Sequence, residues 1–259
     1  MTGDHVAKAN KQEVSDKSAG SALAGLKAAY QEKERDYFEC SRPEVMHFFP
    51  EGAKRVLDIG CGTGGFGESL KRIQGCEVWG VEPDEEAAHA ASGLLDRVFS
   101  GFFAEELRLP EGYFDCIFFN DVLEHMIDPG AALKLADKLL AEDGSIVASI
   151  PNIRHFPTLW RLVVNGRWDY VERGILDKTH LRFFTKQSIQ ALFDGEGFAV
   201  EKLQGINGFA DMVSGDTRIW KIYRLLSKWR TPLLEEMRYL QFVVVARRKE
   251  RAGQSVNGR

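Results

Sequence analysis

Asp58 and Glu82 are the acids around which this chain can do chemistry. Asp58 lies in the apolar run Val56-Leu57-Asp58-Ile59, which passes directly into glycines at 60, 62, 64 and 65. Glycines allow a tight strand-to-helix turn and let a ligand approach the backbone with no Cβ in the way. Phe66 to Ile73 has helical character, and a helix there would turn its unpaired N–H groups toward an anionic group. Twenty-two residues past Gly60, a strand over 77–81 ends at Glu82, where a carboxylate can accept hydrogen bonds from both hydroxyls of a ribose. The pattern predicts a nucleoside-binding βαβ unit. Gly60, Gly62 and Gly65 also satisfy G-x-G-x-x-G, so spacing alone leaves a nicotinamide dinucleotide open.

The elements that must position these acids follow from periodicity. Leu23 to Tyr37 is Ala-rich and helical in character. Then come strand 54–59 with helix 64–74, strand 76–82 with helix 84–92, strand 96–100 with an irregular stretch, and strand 114–120 with helix 129–141. A fifth strand, 144–150, follows a Glu-Asp-Gly turn at 142–144. Alternation of this kind predicts a parallel sheet covered on both faces, a doubly wound, Rossmann-like α/β fold. Its ligand lies at the carboxyl ends of the strands, where the acids above fall. Residues 152–184 read as aromatic-rich and irregular, Thr185 caps a helix to about Gly195, a sixth strand covers 198–204, and Leu240 to Ala246 is the last strand.

The 259 residues suffice for one sizeable α/β domain, and with 44% hydrophobic residues the chain can bury a core. A net charge of −4 provides no basic field for nucleic acid, so none is expected as a partner. The cysteines at 40, 61, 76 and 116 show neither C-x-x-C nor zinc spacing and read as reduced thiols of a cytoplasmic protein. Residues 1–22 lack the apolar core of a signal peptide and read as a disordered tail, as do residues 248–259. No apolar run reaches the ~18 residues of a spanning helix.

The string Val-Leu-Asp-Ile-Gly-Cys-Gly-Thr-Gly at 56–64 resembles the first motif of the class I S-adenosylmethionine (SAM) methyltransferases. Val81-Glu82-Pro83-Asp84 is similar to their second motif, Phe114 to His125 to the fourth strand and its exit, and Gly144 to Asn152 to the fifth strand. The resemblance covers roughly residues 37–247, within a methyltransferase domain at 23–247. It implies a seven-stranded sheet whose last strand is antiparallel, with lid insertions at 152–184 and 206–237. It also implies SAM as cofactor: Asp58 on the amino group or on the turn, Gly60, Cys61 and Gly62 giving backbone access, and Glu82 on the ribose. Pro83 would pack on adenine, with Asn120 and Asp121 beside the methionyl chain. Relatives often carry an Asp after the third strand for the adenine amine; here Phe103 aligns with it, leaving stacking, the Ala104 backbone or Glu105 for that contact.

The acceptor is less constrained. Asn120-Asp121-Val122-Leu123 lacks the Pro-Pro-aromatic run of nucleobase amine methylases, which points away from an exocyclic amine. An alcohol acceptor needs a proton taken away, and His125, His155 and His180 are the candidate bases, with Asp177 able to orient His180. Asp121-x-x-Glu124-His125 also resembles the Glu-x-x-Glu-His of metal-dependent O-methyltransferases of ubiquinone synthesis and of small-RNA ends. Carried over, Asp121, Glu124, His125 and His155 would hold a divalent ion that acidifies a hydroxyl; base and metal readings both stand at this level. Residues 151–184 look like methyltransferases encoded with bacterial glycosyltransferases. That likeness implies a saccharide or lipid-linked sugar acceptor in cell-surface glycan biosynthesis, held by Arg154, Trp168, Tyr170 and Arg182. Another small metabolite, such as a quinone-like phenol or a carboxylate, is the alternative, and a non-catalytic binding module is a third. Finally, 216–230 places Ile219, Ile222, Tyr223, Leu226 and Trp229 at helical spacing among basic residues. Such a stripe either rests on the inner membrane surface or packs within the fold or against a second copy in a homodimer.

Overall fold

The computed structural model describes residues 41–208 and 231–249, with isolated positions at Gly25, Lys221 and Leu225. The helix expected over 23–37, the tail at 1–22, residues 250–259 and the amphipathic stretch 216–230 lie outside the described residues, apart from those isolated positions; the tail expected from 248 begins later, because Arg248 ends the last strand with its guanidinium on Asp137.

A short helix α1 (Pro43–Met46) precedes β1 (Arg55–Ile59), α2 (Gly65–Gln74), β2 (Glu77–Glu82), α3 (Glu85–Ala91) and β3 (Arg97–Ser100). After a 3-10 turn at Glu105–Leu107 come β4 (Phe114–Asn120), a second 3-10 turn (Leu123–His125), α4 (Pro129–Leu139) and β5 (Leu140–Pro151). The chain continues through α5 (Phe156–Asn165), α6 (Lys186–Gly195), β6 (Phe198–Gly208), α7 (Pro232–Glu236) and β7 (Tyr239–Arg248). The strands form one sheet in the order β3-β2-β1-β4-β5-β7-β6. β1 to β5 run parallel, and β7 is antiparallel to both β5 and β6. This is the doubly wound sheet with an antiparallel last strand that the sequence implies.

The side chains on β1 and β4 alternate between two buried layers, as a period of two requires when helices cover both faces. Leu57, Ile59, Ile117 and Phe119 join the core on one side, while Val56, Cys116 and Phe118 join the core on the other with Phe66 and Leu70 of α2. Local signals start the helices where the site needs them. Asp84 caps α3 by accepting from the Ala87 N–H at 2.9 Å, and Asp128 caps α4 from Ala131 at 2.9 Å with Pro129 in the first turn.

Several expected boundaries move. The Glu-Asp-Gly run at 142–144 is part of β5: Phe114 pairs with Leu140 and, after a shift of register, Cys116 pairs with Ser145. The extra residues are absorbed as a bulge rather than a turn. Within 152–184 lies a regular helix, α5, opened by Pro157 in its first turn and closed by Gly166 in the left-handed region at φ 62°. β6 runs to Gly208, past the expected end at 204 and into the insertion expected at 206–237.

Candidate active site

The carboxyl ends of β1, β2 and β4 open into a cavity of about 820 Å³. Its wall carries every residue expected at the cofactor: Asp58, Gly60, Cys61, Gly62, Glu82, Pro83, Phe103, Ala104, Asn120 and Asp121. Gly60 has φ 68°, and a Cβ there would meet Val122 Cγ2 at 2.6 Å, so the turn admits only glycine at this closest approach. The Cys61 thiol is buried and its pKa is pushed up by that burial, as befits a small filler of the turn.

Glu82 is 2% exposed. Its Oε2 accepts from Gly62 N at 2.9 Å and its Oε1 from Asp84 N at 3.0 Å, which ties the glycine turn to the cap of α3. Burial raises its pKa to about 7. Burial, then the Glu82 charge, raises that of Asp58 to about 8. Asp58 Oδ1 and both amide atoms of Asn120 are buried without a hydrogen-bond partner among the described residues. Orphaned polar atoms on a cavity wall are costly unless a ligand supplies partners. The amino and carboxylate groups of a methionyl chain would do so, and the residues present fit SAM.

At the adenine end Phe103 packs edge-on against Phe119, with ring centroids 5.8 Å apart. Glu105, also on the cavity wall, makes an exposed ion pair with Lys138 at 2.5 Å.

Two wall residues escaped the sequence reading. The Arg42 guanidinium, whose side chain is 10% exposed, pairs with Asp121 and with Glu44 and donates to Ser149 Oγ at 3.1 Å. Gln241 Nε2 of β7 donates to Asp121 Oδ1 at 2.7 Å, and Ser149 Oγ donates to it at 3.0 Å. Arg42 and Asp121 both hold left-handed backbone conformations, at φ 44° and 55°. Asp121 is thus held in a polar network, an additional demand on a residue expected at the cofactor or a metal. Arg42 lies 79 residues from Asp121 and Gln241 lies 120, so no local pattern announces them.

Below the cofactor wall the 3-10 turn after β4 brings Glu124 and His125 to His180. All three are buried, and one donor atom from each lies within 4.8 Å of the others. Both Glu124 oxygens lack a hydrogen-bond partner among the described residues, and burial, then Asp121, holds its pKa well above the ordinary carboxylate range. Burial, then His180, lowers the His125 pKa to about 4. A buried carboxyl group beside two imidazoles is a donor set that suits a divalent cation, which would draw the proton from Glu124. His180 completes this cluster, in place of the His155 drawn in from sequence proximity.

His155, 6% exposed, is absent from the cavity wall, and burial, then Arg161, lowers its pKa to about 4. Neither trait suits a general base near neutral pH. The expected sugar contacts also fall outside the wall. Arg154 pairs with Glu236 at 3.1 Å; Arg182 donates to the carbonyls of Ile127 at 2.5 Å and Leu181 at 3.0 Å. Trp168 packs edge-on against Phe183, and Tyr170 is 53% exposed. Instead the lid segment sends Gly174, Ile175, Asp177 and His180 to the wall, beside Met126 and Ile127.

This sheet order, with the glycine turn, the acid ending β2 and the polar β4 exit gathered at one cavity, is the class I methyltransferase fold. The chain belongs to the methyltransferase-domain family, whose sequence profile matches residues 30–203. Among solved structures it is similar to a SAM-dependent methyltransferase from Archaeoglobus fulgidus (22% identity, TM-score 0.57, covering 83% of this chain and 95% of that one). It is also similar to one from Thermotoga maritima (22%, TM-score 0.56, 81% and 88%). Among curated relatives, the ubiquinone biosynthesis O-methyltransferase of Caulobacter vibrioides is 32% identical over 178 residues, covering 62% of this chain and 69% of the relative. That of Caulobacter sp. is 34% identical over 151 residues, covering 55% and 58%. The first matches span about half to two-thirds of the relatives' own lengths. Among the described residues no helix is long and apolar enough to cross a membrane.

Proposed function

We propose that this protein is a SAM-dependent O-methyltransferase acting on a hydroxyl of a small, largely apolar ring such as a phenol or quinol, aided by a divalent cation. The observation that carries this reading is the buried Glu124–His125–His180 cluster at the exit of β4, on the same wall as the cofactor residues. SAM supplies an electrophilic methyl group that transfers by in-line displacement, so alignment of the reacting atoms is much of the catalysis. Asp58 and Asn120 would hold the methionyl end and Glu82 the ribose. Glu124, His125 and His180 would hold the cation, which acidifies a coordinated hydroxyl. Met126, Ile127 and Ile175 bound the acceptor side with apolar surface, which excludes water and favours a flat ring.

The saccharide reading gives way for two reasons. The aromatic and arginine side chains meant to hold a sugar do not line the cavity, and the relatives are named for ubiquinone biosynthesis. The test is methyl transfer from labelled SAM to a panel of catechols, quinols, nucleotide sugars and glycans, with and without chelator. Transfer to a phenolic hydroxyl, abolished by chelator and restored by magnesium or manganese, is expected. Transfer to a sugar alone overturns the acceptor, and chelator-insensitive turnover overturns the cation.

A further inference from the structure

The segment Gly174 to Arg182 does more than bring one ligand to the cluster. Its tight turn, with Asp177 N donating to Gly174 O and His180 N to Asp177 O, both at 3.0 Å, aims polar groups at both imidazoles. It is anchored to the β4 exit by the Leu181 and Arg182 N–H groups, which donate to the Glu124 carbonyl at 2.8 and 3.0 Å. Asp177 and Thr179 are each 1% exposed. Asp177 Oδ1 accepts from Thr179 N at 2.8 Å and from Thr179 Oγ1 at 2.7 Å. The hydroxyl hydrogen of Thr179 is therefore committed to the carboxylate. Toward His125 Nδ1, 3.1 Å away, that oxygen can only accept. The Thr179 carbonyl, also 3.1 Å from His125 Nδ1, is an acceptor by nature. Two acceptors on one ring nitrogen require that nitrogen to carry the proton. The same logic applies to His180, whose Nδ1 faces the Ile175 carbonyl at 2.9 Å, with its Nε2 3.9 Å from Glu124 Oε1.

We propose that Thr179, oriented by Asp177, is a positioning residue that fixes His125 as the Nδ1–H tautomer and turns its Nε2 lone pair toward a divalent cation beside Glu124 and His180. The role rests on the cation reading above, because a positioned lone pair has value only with something to bind. Outer partners of this type set ring orientation and ligand basicity in metal sites. The arrangement calls for a hydroxyl at position 179: serine keeps it, whereas isosteric valine removes it and leaves the carbonyl alone to hold the ring.

The test uses the full chain with Thr179→Val and Thr179→Ser, following Mn²⁺ affinity by paramagnetic resonance and S-adenosylhomocysteine affinity by calorimetry. Nitrogen shifts of the His125 ring, read by NMR without metal, report the tautomer directly. Thr179→Val should weaken Mn²⁺ binding by about 10-fold or more, within the range seen for outer-shell partners. Thr179→Ser should restore it to within about threefold, and both should bind S-adenosylhomocysteine within about twofold of the parent. Wild-type binding of Mn²⁺ unchanged by Thr179→Val overturns the positioning role and leaves the cation reading standing. If the wild type binds no Mn²⁺, the cation reading fails, and the positioning role fails with it as a metal device. A wild-type spectrum with the proton on Nε2 of His125 refutes the tautomer assignment even if no variant folds.

Discussion

Cofactor affinity should rise steeply with pH, because Asp58 and Glu82, the two acids proposed to meet SAM, have raised pKa values in the bare site. Burial places Glu82 near 7, and burial with the Glu82 charge places Asp58 near 8. Both ligand contacts assigned to them, ribose hydroxyls and an ammonium, are strongest with the carboxylate. At pH 6 a group of pKa 7 is roughly one-tenth ionised and one of pKa 8 roughly one-hundredth; at pH 8 the fractions are roughly nine-tenths and one-half. If binding requires both charges, the association constant gains up to roughly 450-fold across that window, about 3.6 kcal/mol at about 1.36 per decade. Calorimetry with S-adenosylhomocysteine at pH 6, 7 and 8, in two buffers of different ionisation enthalpy, measures the affinity and the protons released. Release should approach two protons at pH 6 and fall toward none by pH 9. The same shifts act on folding with a defined sign. Both pKa values are raised in the folded chain, so the stability they contribute is complete below about pH 4 and is lost as pH rises through 7 and 8. Saturating ligand should therefore protect against thermal unfolding more at pH 8 than at pH 6. Affinity flat from pH 6 to 8 with no proton release would refute the reasoning, since it would mean the acids are already ionised or do not meet the ligand.

Three further outcomes follow from packing and charge. In Gly80→Ala the new Cβ would lie 2.5 Å from Cys61 Sγ and 2.8 Å from Leu95 Cδ1, an over-packing expected to cost about 1–3 kcal/mol in urea unfolding and to weaken SAM binding by displacing the turn. Arg42→Ala leaves Asp121 without its cation on the cavity wall; a stability loss of about 1.5–3 kcal/mol, with a raised KM for SAM, is expected, and a KM equal to the parent's would remove Arg42 from the cofactor wall. His155→Gln should keep kcat within a few-fold, because the imidazole is buried away from the cavity; a 100-fold loss would restore it as the base.

The cofactor wall was legible because its chemistry is carried by short contiguous strings. A strand, its glycine turn and the acid ending the next strand are fixed relative to one another by the βαβ unit, so Asp58, Gly60, Gly62 and Glu82 could be read without knowing anything remote. Asn120 followed from its place at the end of the strand that pairs with β1. Arg42 and Gln241 were not legible, because they come from a loop before β1 and from a strand far along the chain. The lid misled for another reason. Density of Trp, Tyr and Arg in 152–184 says nothing about which side faces the ligand, and the α5 helix with the turn behind it directs Tyr170 outward and His180 inward. Asp121 was drawn into a metal set by its spacing to Glu124, whereas the left-handed backbone there carries its carboxylate to Arg42. The Glu-Asp-Gly run at 142–144 has the composition of a turn, and pairing with β4 overrode it.

The position of β7 has a consequence for how the molecule is made. It follows the other six described strands in sequence, yet it sits between β5 and β6 and pairs with both along most of its length. As the chain leaves the ribosome, β6 emerges with no neighbour to join, and β5 waits with an open edge. Neither is completed until Tyr239 to Arg248 slides between them. Gln241, which steadies Asp121 on the cavity wall, arrives in that same step. Assembly of the sheet and completion of the cofactor wall therefore fall in one late event. A chain stopped before β7 would carry the whole glycine turn and still lack the finished pocket.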